Sequence, residues 1–320
     1  MRVITGTDTV RGVNLSRLDL NLLVALDALL QHRSVSRAAE QLGLSQPAVS
    51  AQLAKLRRHF DDELLARTGN QYRLTPLASR LRDRVQLALS GIERVFTTGS
   101  EFDPAASTRE FRLLVSDYFV AVLGPAVAAL LAEEAPDTRL RLIPHTPQLI
   151  DEAVQVLTGF DLLLMPHGFL TDLRCQDLYR DEWVCLVSAD ADVGEALTMT
   201  QLAAMPWVAT YHGPTASSHA ARQLRLTGIE PDVRVVTETF LTVPGLIAGS
   251  DRVALLQRRL ADRIPPELGV RALPCPFPAG PLVEAMWWHP MYDDDPEHRY
   301  LRDVLARAAE KQVAAGEDRS

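Results

Sequence analysis

"LGLSQPAVSAQLAKL", residues 42–56, opens a helix on the polar corner Ser45-Gln46-Pro47 and carries Ser50, Gln52 and Lys55 outside an apolar stripe of Val49, Leu53 and Leu56. A core helix has little use for such a beginning. A helix that inserts its first turn into something polar does. Ser45 suits an N-cap, and Pro47 falls in the first turn, where its missing N–H costs nothing. Just upstream, "SVSRAAEQLGL" reads as a short helix capped by Ser34 or Ser36 and stopped near Gly43, a residue able to turn left-handed. Two short helices joined by Gly43-Leu44-Ser45 make a helix-turn-helix, whose second helix enters the major groove N-terminus first.

The residue types fit that task. Free amides and a partial positive charge at the helix start suit a phosphate. Gln46 can donate to and accept from an adenine edge, and Pro47 can touch a thymine methyl. Ser50, four residues past Gln46, shares its face. Lys55, Arg57, Arg58 and Arg67 would add salt-sensitive backbone attraction. Ser36 and Gln52 complete the candidate DNA-contacting set. An ordinary helical corner whose polar face meets water has the same spacing, so spacing alone leaves both readings open.

Working outward, "LDLNLLVALDALLQH" aligns Leu18, Leu22, Leu23, Leu26, Leu29 and Leu30 on one helical face. "GNQYRLTP" reads as a short β-wing. Thr75 then caps "PLASRLRDRVQLALSGIERVF", whose Leu81, Val85, Leu89, Ile92 and Val95 repeat at near three-and-a-half spacing, a seam that suits pairing with a second copy. The turn-rich "TTGSEFDPAASTRE" marks a domain boundary.

Beyond it strands and helices alternate. "FRLLVSDYF", "RLRLIPH" and "FDLLLMP" read as strands with helices between them, and "EWVCLVSA" begins a second such series. This alternation predicts parallel sheets with crossover helices and a ligand beyond the carboxyl ends of the strands.

Net charge over the 320 residues is −8, which by itself speaks against nucleic acid. The distribution reverses that: residues 1–96 hold 14 Lys+Arg against 9 Asp+Glu, and the remainder 19 against 32. A small basic module sits on a larger acidic body. The start, "MRVITGTDTVRGVN", lacks an apolar signal core and no apolar run approaches a membrane span, so a cytoplasmic protein with a short leader and no membrane partner is expected. Cys175, Cys185 and Cys275 are an odd, scattered set, read as reduced thiols. No nucleophile elbow, phosphate loop, dinucleotide fingerprint or H-E-x-x-H occurs, and His212 and His219 lack the ligands that would make a metal site. The expectation is no enzyme, no metal and no cofactor.

The stretch from Leu18 to Ala78, in order helix, helix-turn-helix, wing and linker helix, resembles the amino-terminal domain of the LysR-type transcriptional regulators. Later segments, "FDPAASTREFRLLVSDYF", "GFDLLLMP", "YRDEWVCLV" and "EAMWWHPMYDDDPEHRYLRDVL", are similar to the branch with the nodulation-gene activators and the naphthalene/salicylate regulators. The resemblance implies an α/β protein: a winged helix-turn-helix with a long linker helix, then a two-lobed effector domain like periplasmic solute-binding proteins. The resulting division is a leader over 1–14, a DNA-binding domain over 15–74, a linker and dimerisation helix over 75–98, a linker over 99–110 and an effector domain over 111–320. Its lobes would be 111–180 with 284–315, and 181–283. The implied partners are double-stranded promoter DNA, a small aromatic or phenolic effector, the chain itself as homodimer or homotetramer, and RNA polymerase.

On that resemblance Ser45, Gln46, Pro47 and Ser50 fall on recognition-helix contacts and Arg67 on the phosphate contact before the wing. Two departures stand out. Ala51 replaces a basic or longer polar residue, and Gln257 replaces the proline that usually ends its strand. In the effector half, Ser116 would hold an effector's carboxylate or phenol, or simply cap the next helix. Asp117 would orient a neighbour or cap, since it would repel an anion. His167 and Thr210, at strand ends, face the expected crevice. Ser217 and Ser218, after Thr215, offer a binding turn or a plain cap. Phe240 and Trp287 are aromatic walls or core. The competing function is an architectural DNA-binding protein that answers to no effector.

Overall fold

The computed structural model describes residues 19–68, 71–97, 102–170, 173–210 and 219–317. The chain divides into two units between Thr98 and Gly99. The leader expected over 1–14 and the turn carrying Ser217 and Ser218 lie outside the described residues.

In the first unit, α1 (Leu20–His32), α2 (Val35–Leu42) and α3 (Gln46–Phe60) precede an antiparallel wing, β1 (Leu65–Thr68) and β2 (Gln71–Leu74), and then α4 (Pro76–Thr97). Local chemistry sets each boundary. Asp19 accepts from the Asn21 N–H at 3.0 Å and starts α1. Ser34, not Ser36, caps α2, and Gly43 ends it in the left-handed region at φ 63°. Ser45 caps α3 by accepting from the Ala48 N–H. Such caps contribute about 1 kcal/mol each. The Thr75 hydroxyl accepts from the Ala78 N–H at 3.1 Å and donates to Asp62 at 2.7 Å, so one side chain starts α4 and pins the wing's exit to its entrance.

The helices bury one shared core of Leu26, Leu29, Leu30, Ala38, Val49, Leu53 and Leu56. Ala78 and Val85 of α4 are buried in the same cluster, with Leu81 and Leu89 packed against it. The seam expected to face a second chain is therefore partly spent on its own module. Three short helices bury too little apolar surface alone, and α4 supplies the missing side. Ile92 is half-buried, and the Val95 side chain lies outside the described ones.

The second unit holds two lobes. The strands in chain order are β3 (Glu110–Val115), β4 (Arg139–Pro144), β5 (Leu162–Pro166), β6 (Arg174–Asp181), β7 (Trp183–Ser188), β8 (Pro206–Thr210), β9 (Asp232–Thr237), β10 (Ala254–Gln257), β11 (Val270–Pro274) and β12 (Leu282–Trp288). The first lobe is a five-stranded sheet in the order β4-β3-β5-β12-β6; the second combines the sheet β10-β7-β11 with the pair β8-β9.

The expectation of parallel sheets needs correction. β3 pairs with β4 and β5, and β8 with β9, in parallel, but β12 runs antiparallel to β5 and β6, and both neighbours of β7 are antiparallel to it. Connectivity is the reason. The chain leaves the first sheet at Asp181 and returns at Leu282, entering from the end where its parallel neighbours finish, so β12 has to run back.

Both faces of the first sheet are covered, which is why "LLLM" reads as a continuous apolar run. Phe111, Leu113, Leu162, Leu164 and Met286 join the larger core, and Leu114, Leu163, Ala285 and Trp287 a second cluster. Arg109, just before β3, pairs with Asp161 and with Asp295 and Glu297 at the start of the closing helix, Pro296–Glu317. Asp161 also accepts from the Arg112 N–H at 2.7 Å, so this buried ion cluster ties the first strand to the last helix. His298 is fully buried, stacked on Tyr292, with Nε2 at 2.7 Å from the Asp161 carbonyl oxygen. Burial pushes its imidazole down to about 4. The three cysteines are free, with the Cys185 and Cys275 sulfurs 3.8 Å apart. Among the described residues no helix is long and apolar enough to cross a membrane.

Candidate functional site

The chain presents two candidate sites, one in each unit. In the first, α3 turns Val49, Leu53 and Leu56 inward, and Gln46, Pro47, Ser50 and Lys55 are exposed. The first turn carries no acidic residue, so nothing offsets its positive end. Ser45 is exposed too, but its hydroxyl is already engaged as the cap. Ser36 is exposed on α2 and Arg67 on β1. Gln52 differs from the rest of the set: it is half-buried and its Oε1 is enclosed without a partner. Arg57 does not reach outward as expected. Its guanidinium donates to the carbonyls of Glu63 (2.9 Å) and Leu65 (3.2 Å) and pairs with the Glu63 carboxylate, so it braces the approach to the wing.

In the second unit a cavity of about 400 Å³ opens between the lobes at the strand ends, with a predominantly apolar lining. Ser116, His167, Thr210 and Phe240 line it, four of the residues expected there. Ser116 follows β3, and its hydroxyl accepts from the Phe119 N–H at 3.1 Å. It thus caps the helix Asp117–Val122 and still has its own proton to donate into the cavity. His167 follows β5; its Nε2 lies 2.6 Å from Asp177 Oδ1, and its ring meets the Trp287 edge-on at 5.0 Å. Thr210 ends β8 with its hydroxyl oxygen buried and unpartnered.

Two expected residues are not at the wall. Asp117 accepts from the Tyr118 N–H and, through Oδ2, from the Leu241 N–H at 2.9 Å, tying the first lobe to the segment beside Phe240. Trp287 is 3% exposed, donates from its indole to the Met165 carbonyl at 2.8 Å, and packs in the second apolar cluster. It stands behind His167 because its strand continues past the cavity into the sheet. Ser217 and Ser218 lie outside the described residues.

Sequence reasoning missed the cavity's most unusual group. Glu284, on β12, is 0% exposed, and neither carboxyl oxygen has a hydrogen-bond partner. Burial pushes its carboxyl up to about 8, with nearby Asp181 adding to the rise. Asp181 is itself buried and raised, though it accepts from the Tyr118 hydroxyl at 2.6 Å. Gln257, at the end of β10 where the resemblance expects proline, is 2% exposed with Oε1 unpartnered at the same cavity. One signal was legible: a lone acid inside the apolar run "PLVEAMWW". Among the described residues no group of three or more His, Cys, Asp or Glu side chains could hold a metal ion.

Residues 20–79 match the bacterial regulatory helix-turn-helix protein family, lysR family, and residues 105–310 match the LysR substrate binding domain. Nodulation protein D 2 of Rhizobium tropici is 33% identical over 301 residues, covering 93% of this chain and 95% of that protein. Nodulation protein D 1 of Mesorhizobium japonicum is 32% identical over 305 residues, covering 94% and 96%. A probable transcriptional regulator of Pseudomonas aeruginosa superposes with a TM-score of 0.73 at 29% identity, over 91% of this chain and 97% of that one. The LysR-family regulator CbnR, solved full-length with its target DNA, shares the fold at a TM-score of 0.62 and 14% identity, over 92% of this chain and all of that one. The chain belongs to the LysR family: it is a DNA-binding transcriptional regulator, not an enzyme, with an amino-terminal helix-turn-helix and a carboxyl-terminal LysR substrate-binding domain.

Proposed function

We propose that this regulator is controlled by a small aromatic or phenolic effector bound in the cavity between the two lobes. The observation that carries the reading is the cavity itself: about 400 Å³, largely apolar, with a few polar atoms converging from both lobes. Phe240 and Trp183 supply aromatic wall, whose burial of a ring provides most of the affinity, while Ser116, Thr210 and His167 set its orientation. The effector acts by favouring one lobe arrangement over another, since equal affinity for both would shift nothing.

On the DNA side, Gln46, Pro47 and Ser50 read base edges. Ser36, Ser45, Gln52, Lys55 and Arg67 support them at the backbone. The regulator acts in the cytoplasm as a homodimer or homotetramer on a pseudo-palindromic promoter site, with RNA polymerase as the partner that reads the outcome. A thermal-shift screen of the full chain against aromatic acids, phenols and amines, followed by operator binding with and without each hit, tests the effector reading. A hit raises the melting temperature, because it binds only the folded state, and loses its effect in Phe240→Ala. A chain that binds its operator but is shifted by no aromatic compound is instead the architectural protein.

A further inference from the structure

The polar lining of the cavity is rich in oxygens that lack a partner. Both oxygens of Glu284, Oε1 of Gln257 and Oγ1 of Thr210 are buried without a partner. Among the described lining residues the charged side chains other than histidine are acids, Asp151 and Glu284, with no lysine or arginine. An unmet buried polar atom is a cost of folding, and a ligand that donates to it recovers that cost on binding. A ligand carboxylate does the opposite. It brings a negative charge into a low-dielectric space beside the Glu284 carboxyl, with Asp181 close behind and no lysine or arginine among the described lining residues; the Arg222 guanidinium, beside Gly168, lies over the Phe169 ring. A protonated Glu284 could lend such a ligand one hydrogen bond, but that leaves the buried charge unneutralised.

Resting on the effector reading above, we infer that the effector carries no negative charge: it is an aromatic alcohol, phenol or amine whose donors meet Glu284, Gln257 and Thr210. This narrows the expectation of a carboxylate or phenol held at Ser116 by removing the carboxylate. The Ser116 hydroxyl is half-committed to its helix, whereas Glu284, Gln257 and Thr210 bring buried oxygens with no partner. A protonated amine would favour the ionised form of Glu284, pair with it, and be attracted to the faces of Trp183 and Phe240. A neutral alcohol or phenol would bind through its donors alone.

The test uses the full-length protein and matched ring compounds differing in one group: tyrosol, tyramine and para-hydroxyphenylacetate, with the naphthyl alcohol, amine and acid as a larger-ring set. Melting temperature is followed against concentration at neutral pH for wild type, Glu284→Gln and Gln257→Leu. The expected result is that alcohols or amines stabilise wild type at concentrations at least about tenfold below their acid partners. Glu284→Gln, which replaces a carboxyl by an amide donor, should narrow or invert that ranking, and Gln257→Leu should weaken the donors only. Amine ahead of alcohol assigns a cationic ligand, and the reverse a neutral one. An acid that stabilises wild type as well as its alcohol and amine partners overturns the inference and leaves the effector reading standing, as does a ranking unchanged in both variants. If no compound of any kind shifts a protein that binds DNA normally, the effector reading falls and this inference with it.

Discussion

The recognition helix and the inter-lobe cavity handle polar groups in opposite ways. Gln46 and Ser50 stand in water, where their hydrogen bonds are satisfied before any partner arrives, whereas Glu284, Gln257 and Thr210 keep unmet oxygens inside the protein. An exposed group exchanges water for a base and gains by the difference, so it contributes specificity at modest cost to stability. A buried unmet group has lost its water already, so the ligand that completes it is rewarded and one that fails to is penalised. The two regions should therefore respond differently to substitution: DNA contacts through affinity alone, cavity residues through stability and ligand choice together.

The largest expected effect is at neither site but in the buried ion cluster that holds the second unit. Arg109→Ala leaves Asp161 and Glu297 without their shared cation, a change that typically costs about 3–5 kcal/mol. Its melting transition should fall by many degrees for the second unit, while a calorimetric transition assigned to the first unit stays in place. Equal losses in both would mean that the units are not energetically separate.

Next in size, Gln46→Ala should lose about 1–3 kcal/mol on the cognate operator and little on random DNA. Arg67→Ala should instead weaken both targets alike and flatten the salt dependence. Titrations on two DNA sequences at several salt concentrations separate these outcomes, and cognate affinity unchanged in Gln46→Ala would remove it from the reading face.

Ser116→Ala deletes a cap worth about 1 kcal/mol and one cavity donor together. A lowered melting temperature with an unaltered ligand response would assign Ser116 to the helix alone. A lost response with operator binding intact would place it at the effector as well.

The last expected effect is on pH dependence. Glu284 holds its proton up to about 8 in the folded chain, against an ordinary 4.5. Its stabilisation is thus complete below the ordinary value and is lost as pH rises through the folded one. His298 works from the other side. Held at about 4 against 6.5, it costs stability as pH falls from the ordinary value towards the folded one, because the unfolded chain takes up its proton first. Glu284→Gln should flatten the decline between pH 4.5 and about 8 and leave the loss due to His298 unchanged. Chemical denaturation across the neutral range reads the difference, and parallel profiles for the two proteins would show that Glu284 is ionised throughout.

The helix-turn-helix was readable because its instructions are local. Ser34 and Ser45 bond amides three residues on, Gly43 turns left-handed within its own loop, and the apolar spacing of Val49, Leu53 and Leu56 names one face of one helix. The strand ends at Ser116, His167 and Thr210 were legible for a similar reason, since an apolar run that stops at a polar residue marks where a strand leaves the sheet.

Other features depended on pairing that no window of sequence contains. Whether α4 spent its stripe on its own module was settled by the depth of that module's core. The direction of β12 followed from where the chain re-enters the first sheet. Which of Glu284 and Trp287 meets the cavity depended on how far along that strand the lobes part: Glu284 lies at the crossing, and Trp287 three positions deeper. Sequence by itself determined the local elements and the family, because caps, turns and periodicity act over a few residues. Only the tertiary structure decided the character of the cavity, because residues as distant as Ser116, Thr210, Gln257 and Glu284 share it through strand order, and their burial exists only once both lobes have folded around them.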